Sequence, residues 1–548
     1  MKKTKQLLSL LFALLLVFSV CSLTVFAEEE ATDPSTFVAD GITGTFISPW
    51  LYNSFSDARM DKEFKRMKEI GIDTLIMGDC ANKDKGENSK WSISYPSKIE
   101  EFGGATCGQD AVKRLFDYCK KYGIKLYLGV GCDSDWWDKN LSVEAAGDWL
   151  KEVCQISAKM VKELYDLYMP EYSDVFGGYY WVYEIWNHGA WNIDITREAY
   201  AQNLAAGFNI VIDAINKVDA TKPLLFSPFT NPADGLATKE NCCKFYTRLF
   251  ELTNFRSYDV ITPMDNIGGG GTKIDQLDEW TRDTYYQAIL NSKNKLKLWS
   301  NCESFVQPAN TATGTWTTCT MDRFVKQIQI TSKYCEKIIS FSWNHYMSPY
   351  NTISGFDRSF VEYLKTGELE KVAPSAPTRV STYLSGDYLI AKWNQAEDEY
   401  DIAKYIVEKQ NSSTKEFVKF SECLIGRYDG KNVTLALKSS LSDSGYNKTG
   451  QNVYRVCAVD CSGNASEYIY IVIDGTNPDN GVDLKASGGN KGFYTQAEFD
   501  QLKNSVAEEP EEPADDMTMI LIAVLIFVIV LAIAAVAVVL VIVKVRKK

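Results

Sequence analysis

The chain has 548 residues, 45% of them hydrophobic, with 58 basic residues against 71 acidic ones. Three of those basic residues fall in the first 27 positions and four in the last five, so the body between them carries 51 against 71, a formal −20. A body that acidic argues against nucleic acid and anionic lipid as partners and suits a neutral sugar polymer.

Lys2, Lys3 and Lys5 precede an apolar run from Leu7 to about Phe26 that closes on Val25-Phe26-Ala27. This pattern predicts a secretory signal peptide over 1–27. From about Gly41 to Gly367 strand and helix signals alternate. Short apolar runs at Ile42–Ile47, Thr74–Met77, Lys125–Val130, Tyr179–Ile185, Leu224–Ser227, Val260–Pro263, Leu296–Trp299 and Ile338–Trp343 read as strands. Amphipathic stretches lie between them: Asp61–Ile70, Val112–Tyr122, Ala145–Tyr168, Arg197–Val218, Lys239–Phe255, Leu277–Asn291 and Met321–Cys335, with Phe356–Lys365 as the eighth. Eight β-then-α units of this size predict an α/β fold, a (β/α)8 TIM barrel over 41–370. A doubly wound sheet is the alternative, but the glycine-rich phosphate turn usual after its first strand is absent.

Pro374 and Pro377 mark a linker, and the pattern then changes to short alternating runs such as Leu389–Trp393, Tyr405–Glu408 and Tyr454–Asp460. With its opening prolines, early Trp393 and Tyr-x-Val-x-Ala strand, 373–475 resembles a fibronectin type III domain, which implies a β-sandwich of the kind that usually serves as a spacer. Prolines and like charges predict an acidic stalk over 476–516, with a short helix near Ala497–Val506. Met517 to Val543 carries no charge, which predicts a single C-terminal transmembrane helix over 517–543. The basic tail 544–548 places the C-terminus in the cytoplasm and the large N-terminal domains outside, at the cell membrane. Fourteen cysteines and two histidines, with no Cys-x-x-Cys pair, argue against a zinc site, and allow a disulfide or two. No metal and no cofactor is expected.

Barrel chemistry sits where strands end and loops begin. The fourth strand ends on Glu184, followed by Trp186, Asn187 and His188; the seventh runs to Glu303; the sixth ends near Asp265, before the Gly268–Gly271 run, which reads as a flexible loop over the cleft. The eighth ends on Trp343, Asn344, His345 and Tyr346, the third opens onto Trp136 and Trp137, and the first onto Trp50. Strands four and seven lie nearly opposite one another. Two carboxyls across a barrel mouth are what glycosidic cleavage needs: one protonates the leaving oxygen, the other attacks or activates water. Glu184 and Glu303 are therefore the candidate catalytic pair. Tryptophan faces stack on sugar rings, so Trp50, Trp136, Trp137, Trp186 and Trp343, with Asn187, Asp265, His345 and Tyr346, are candidate substrate-binding residues; Trp191 and Trp316 also fall in predicted loops.

Glycosidases of the large barrel clan place an acid/base on strand four and a nucleophile on strand seven, and this chain resembles them in position and residue type. It departs at Tyr183, where that clan usually has Asn. The segments Ile42–Phe46 with Pro49-Trp50, Met67-Lys68-x-x-Gly71-Ile72-Asp73, Pro263-x-Asp265-x-Ile267-Gly268 and Trp343–Tyr346 resemble a bacterial domain-of-unknown-function family of glycoside-hydrolase-like TIM barrels, over about 41–367. This second resemblance implies the fold and a sugar-directed activity, and with the two opposed glutamates the expectation is a cell-surface glycoside hydrolase, retaining, with Glu303 as nucleophile and Glu184 as acid/base. The alternative is a non-catalytic glycan-binding or adhesive surface protein on the same scaffold.

Overall fold

Alternation along eight short strands builds the first unit. The computed structural model describes residues 32–86, 89–307, 316–424, 427–428, 433–434, 439–476 and 493–507. Strands β1 (Gly44–Ile47), β2 (Thr74–Met77), β3 (Lys125–Val130), β4 (Phe176–Trp181), β5 (Leu224–Phe226), β6 (Val260–Ile261), β7 (Lys297–Glu303) and β8 (Lys337–Phe341) close a parallel barrel in the order β1-β8-β7-β6-β5-β4-β3-β2. Each strand sends one side chain into a shared interior layer: Phe46, Ile76, Tyr127, Tyr180, Leu225, Val260, Trp299 and Ile339. The barrel is thus plugged by packed side chains, and polar residues further along each strand reach only its C-terminal mouth.

Helices α1 (Asp57–Glu69), α2 (Ala111–Tyr122), α3 (Val143–Tyr172), α4 (Asp194–Asp219) and α5 (Lys239–Leu252) follow the first five strands. Next comes α6, a helix assembled from Leu277–Trp280, the wide π turn Thr281–Tyr286 and Gln287–Asn291; α7 (Met321–Thr331) and α8 (Ser354–Thr366) complete the ring. Their starts are set locally: the side chains of Ser56, Asp110 and Thr238 accept N–H groups of the first turns of α1, α2 and α5. The first and last helices are joined by a buried ion pair, Arg66 Nε to Asp357 Oδ1 at 3.1 Å.

The second unit has two antiparallel sheets. One contains β9 (Thr378–Ser385), β10 (Tyr388–Asn394) and β13 (Ser440–Asp443). The other runs in the order β12 (Phe417–Leu424), β11 (Ile402–Gln410), β14 (Gln451–Asp460), β15 (Ile469–Asp474) and β16 (Phe493–Thr495). Leu389 and Trp393 of the first sheet share a core with Tyr405, Val407, Tyr454, Val456 and Ile471 of the second, so the sheets pack face to face.

Part of the segment expected as a stalk folds back onto this unit. Phe493–Thr495 pairs with β15, and Phe499 on the helix Gln496–Ala507 stacks on Tyr470 at 4.3 Å. Among the described residues no disulfide forms; the cysteines are thiols, most of them buried. The expected single-pass placement at the cell membrane is corrected here: among the described residues no helix is long and apolar enough to cross a membrane. Residues 1–27 and 517–548 lie outside the described residues.

Candidate active site

Side chains alternate along a strand, and that rule carries the two expected carboxyls to the mouth. On β7, Trp299 fills the interior layer, and Asn301 and Glu303 follow at two-residue steps. Asn301 Nδ2 donates to Ser227 Oγ above β5 at 3.3 Å, across the neighbouring strand ends. The strand is longer than its apolar run, and Glu303 is its last residue. On the fourth strand, Tyr180 fills the interior layer with Val182 packed against it, and Glu184 follows. Tyr183 turns the other way, between Trp136, Trp149 and Trp181, and is buried. The residue that stands at the clan's Asn position is thus part of the packing outside the lumen.

Glu303 is 5% exposed and held from three sides. Its Oε2 accepts the N–H of Gly269 at 2.9 Å. A Cβ on Gly268 would sit 3.0 Å from that oxygen and 2.5 Å from the carbonyl oxygen of Phe305, so only glycine fits. The first two glycines of the run read as a loop over the cleft, Gly268 and Gly269, thus form a collar against one carboxyl, while Gly270 is exposed and meets nothing. Behind it, Asp265 Oδ1 accepts the N–H of Ile267 at 3.1 Å and that of Glu303 at 3.3 Å, while Gln327 donates its amide to Oδ2. Arg323 donates to the carbonyl oxygens of Glu303 and Phe305, both at 2.7 Å. Both Gln327 and Arg323 come from α7.

The charges follow from this packing. Burial pushes Asp265 up to about 6. Burial, then the charge of Asp265, pushes Glu303 up to about 8. Asp265 has more donors and ionises first, which leaves the proton of the pair on Glu303 near neutral pH. Burial alone pushes Glu184 up to about 7, and among the described residues its carboxyl has no hydrogen-bond partner.

A fourth strand-end carboxyl escaped the sequence reading. Asp79 follows Gly78 at the end of β2, and burial raises it to about 6. Its charge and that of Glu184 both bear on the buried Tyr180 hydroxyl and the Cys132 thiol, after the burial that dominates each shift. The signal was available: Asp79 stands at a strand end, as Asp265 does.

The aromatic residues divide. Trp137 is 46% exposed at the opening beyond β3, and Trp186 is half-buried, parallel to Phe229. Trp316 lies flat on Phe305 at 4.3 Å, two residues beyond Glu303. Trp136 is buried and donates its ring N–H to the carbonyl oxygen of Glu184 at 2.9 Å. Trp343, Tyr346 and Trp191 are buried in the protein and offer no open ring face. Asn187 is fully buried and ties the loop after the fourth strand to the loop after β5, donating to the carbonyls of Asn231 and Ala237. His345 is buried and hydrogen-bonded to Ser342, and burial pushes both it and His188 down to about 4, so both are neutral at pH 7. The backbone of Trp50 lies in the turn Pro49–Asn53 after β1, and its side chain is outside the described set.

No curated protein matches the chain. Among solved structures, an intracellular xylanase from Thermoanaerobacterium saccharolyticum is 12% identical with a TM-score of 0.34, covering 57% of this chain and 89% of its own. A chitinase from Bacillus thuringiensis is 12% identical with a TM-score of 0.34, covering 79% of this chain and 84% of its own. A β-galactosidase from the psychrophilic Marinomonas ef1 is 12% identical with a TM-score of 0.36, covering 55% of this chain and 54% of its own. At TM-scores this low the likeness says nothing about this chain's chemistry. The model of DUF4434, a domain of unknown function, matches residues 42–353, more than half of the chain, and the protein therefore belongs to the DUF4434 family.

Proposed function

We propose that the barrel is a glycoside hydrolase that cleaves a neutral glycan by retention, with Glu184 as acid/base and Glu303 as nucleophile. The observation that carries this reading is the construction around Glu303: a buried strand-end carboxyl, with Gly269 on one oxygen and no room at Gly268 for any other residue. That is more positioning than a structural carboxylate needs.

In the first step the Glu303 carboxylate attacks the anomeric carbon. Glu184 gives its proton to the departing glycosidic oxygen, and a glycosyl ester forms on Glu303. In the second step the Glu184 carboxylate takes a proton from water, the water oxygen attacks the anomeric carbon, and Glu303 leaves. Burial without a partner keeps Glu184 protonated up to about 7, as the acid role needs. Trp137, Trp186 and Trp316 supply the ring faces for neighbouring sugars, and the second unit, 373–475, is a fibronectin type III-like module.

The second reading is a glycan-binding protein without turnover: burial beside Asp265 favours the protonated form of Glu303, and a protonated nucleophile does not attack. The test is to incubate the purified protein with aryl glycosides and with polysaccharides, beside Glu184→Gln and Glu303→Gln. Hydrolysis that both substitutions abolish supports the enzyme. Hydrolysis that survives both refutes the assignment, and binding without product establishes the second reading.

A further inference from the structure

The second unit grips the barrel at the helix that carries the supports of Glu303. The carbonyl oxygens of Cys461 and Ser462 accept the N–H groups of Met321 and Asp322 at 2.9 and 3.0 Å. These are two of the four N–H groups that a helix start leaves without partners. Cys461 is fully buried and, with Ala403, belongs to the barrel's own core. Ser462 and Ser359 of α8 share a hydroxyl hydrogen bond at 2.8 Å, and Asp401 Oδ2 accepts the N–H of Gly355 at 3.0 Å. The turn has one required shape. Asp460 Oδ1 accepts the N–H groups of Gly463 and Asn464 at 2.7 and 2.9 Å. Gly463 has φ of +109°, and a Cβ there would lie 2.3 Å from Asp322 Oδ1.

Arg323, the next residue of α7 after this grip, and Gln327 sit four residues apart and so share a helix face. That face holds the end of β7: Arg323 on the carbonyls of Glu303 and Phe305, Gln327 on Asp265 and, at 3.2 Å, on the carbonyl of Glu303. A second tie lies beyond Glu303. Strands Phe305–Val306 and Trp316–Thr318 form a hairpin, and the latter pairs antiparallel with Arg427–Tyr428 of the second unit.

We infer that the β unit is a working part of the site and not a spacer: its 460–464 turn sets the position of α7 and, through Arg323 and Gln327 as positioning residues, the placement of Glu303 and Asp265. The inference rests on the reading of Glu303 as the reacting carboxyl. A rigid link of this kind matters because a catalytic group displaced by about 1 Å can lose roughly a hundredfold in rate.

The experiment uses the full chain with Gly463→Ala, which drives a methyl group against Asp322. Gly386→Ala is the control: it also places alanine at a positive φ, +59°, in the same unit, but meets nothing within 4 Å. Hydrogen–deuterium exchange is measured on 299–306 and 321–331, together with turnover of whichever 4-nitrophenyl glycoside the wild type cleaves. Gly463→Ala is expected to speed exchange in both segments and to lower kcat about tenfold or more, with KM unchanged within about twofold. Gly386→Ala should do neither, and adding Asp322→Ala to Gly463→Ala should recover part of the loss. If Gly463→Ala does not fold, Ser359→Ala, which removes one hydroxyl tie to the turn, gives the same readout at smaller amplitude. Wild-type exchange and kcat in the folded variants overturn the inference. The exchange arm needs no substrate, so an altered exchange pattern in a chain without turnover would sink the hydrolase reading and leave the coupling standing.

Discussion

The backbone N–H of Glu303 donates to Asp265 Oδ1 across 3.3 Å, so the carboxyl that ends β7 is built onto the carboxyl that follows β6. The charge of Asp265 is, after burial, the main reason that Glu303 holds its proton so high. Asp265→Asn removes that charge at nearly constant shape. Glu303 should then ionise at lower pH, and the acid limb of the kcat/KM profile should move down by about one unit. A limb that stays in place would mean that Asp265 does not act on the nucleophile.

The wild-type profile follows from the same pair. The productive form has Glu184 protonated and Glu303 ionised. With Glu184 near 7 and Glu303 near 8, that form peaks at about pH 7.5, where it is only about one molecule in twenty. A narrow bell with an optimum above neutrality is expected from initial rates across pH 5 to 10 at constant ionic strength. An optimum near pH 5 would contradict the assignment of roles.

Glu184 also leaves a signature in stability. Its pKa is raised from 4.5 in the open chain to about 7 in the fold, so the folded state prefers the protonated form. The stability this represents is complete below about 4.5 and is lost as pH rises through about 7, a difference of at most roughly 3 kcal/mol. Glu184→Gln keeps the shape and removes the ionisation. Its melting temperature should exceed the wild type's at pH 8 and match it at pH 5. Equal melting curves at both values would show that the carboxyl is not desolvated.

Gly268→Ala should fold and fail. Its methyl group would meet the Phe305 carbonyl at 2.5 Å and Glu303 Oε2 at 3.0 Å. The collar shifts, and kcat should fall about tenfold or more while circular dichroism stays that of the wild type. Full activity would show that the collar does not position Glu303.

Trp137 tests the reach of the substrate. Its ring is 46% exposed beyond β3. Trp137→Ala should raise KM for a polysaccharide by roughly three- to tenfold, the equivalent of a stacking contact worth about 1 kcal/mol. Rates on a small aryl glycoside should not change. An equal effect on both substrates would place Trp137 at the scissile bond or in the fold itself.

The barrel was legible because each strand repeats one local rule, an apolar run with alternating faces followed by a helix, and no long-range fact is needed to read it. Glu184 and Glu303 were legible for the same reason, as polar residues at the ends of such runs. The supports of Glu303 were not. Gln327 and Arg323 lie on a helix whose face toward β7 is set only when the ring closes, and the Cys461 and Ser462 carbonyls that cap that helix belong to another unit. The tryptophans show the opposite failure. A ring in a predicted loop reads as a sugar platform, yet Trp136 and Trp343 turn inward and fill space, because burying an indole is worth more than leaving it open. Asp79 was overlooked because its strand is brief and the apolar run stops at Met77, one glycine before it.

The most direct measurement is peptide mass spectrometry after incubation with an activated 2-deoxy-2-fluoro glycoside matched to the sugar that the wild type cleaves, a probe that slows release of the glycosyl ester. One covalent glycosyl adduct, on Glu303, is expected to form with loss of activity. Turnover of the parent substrate without any adduct, or an adduct on another carboxyl, would contradict it.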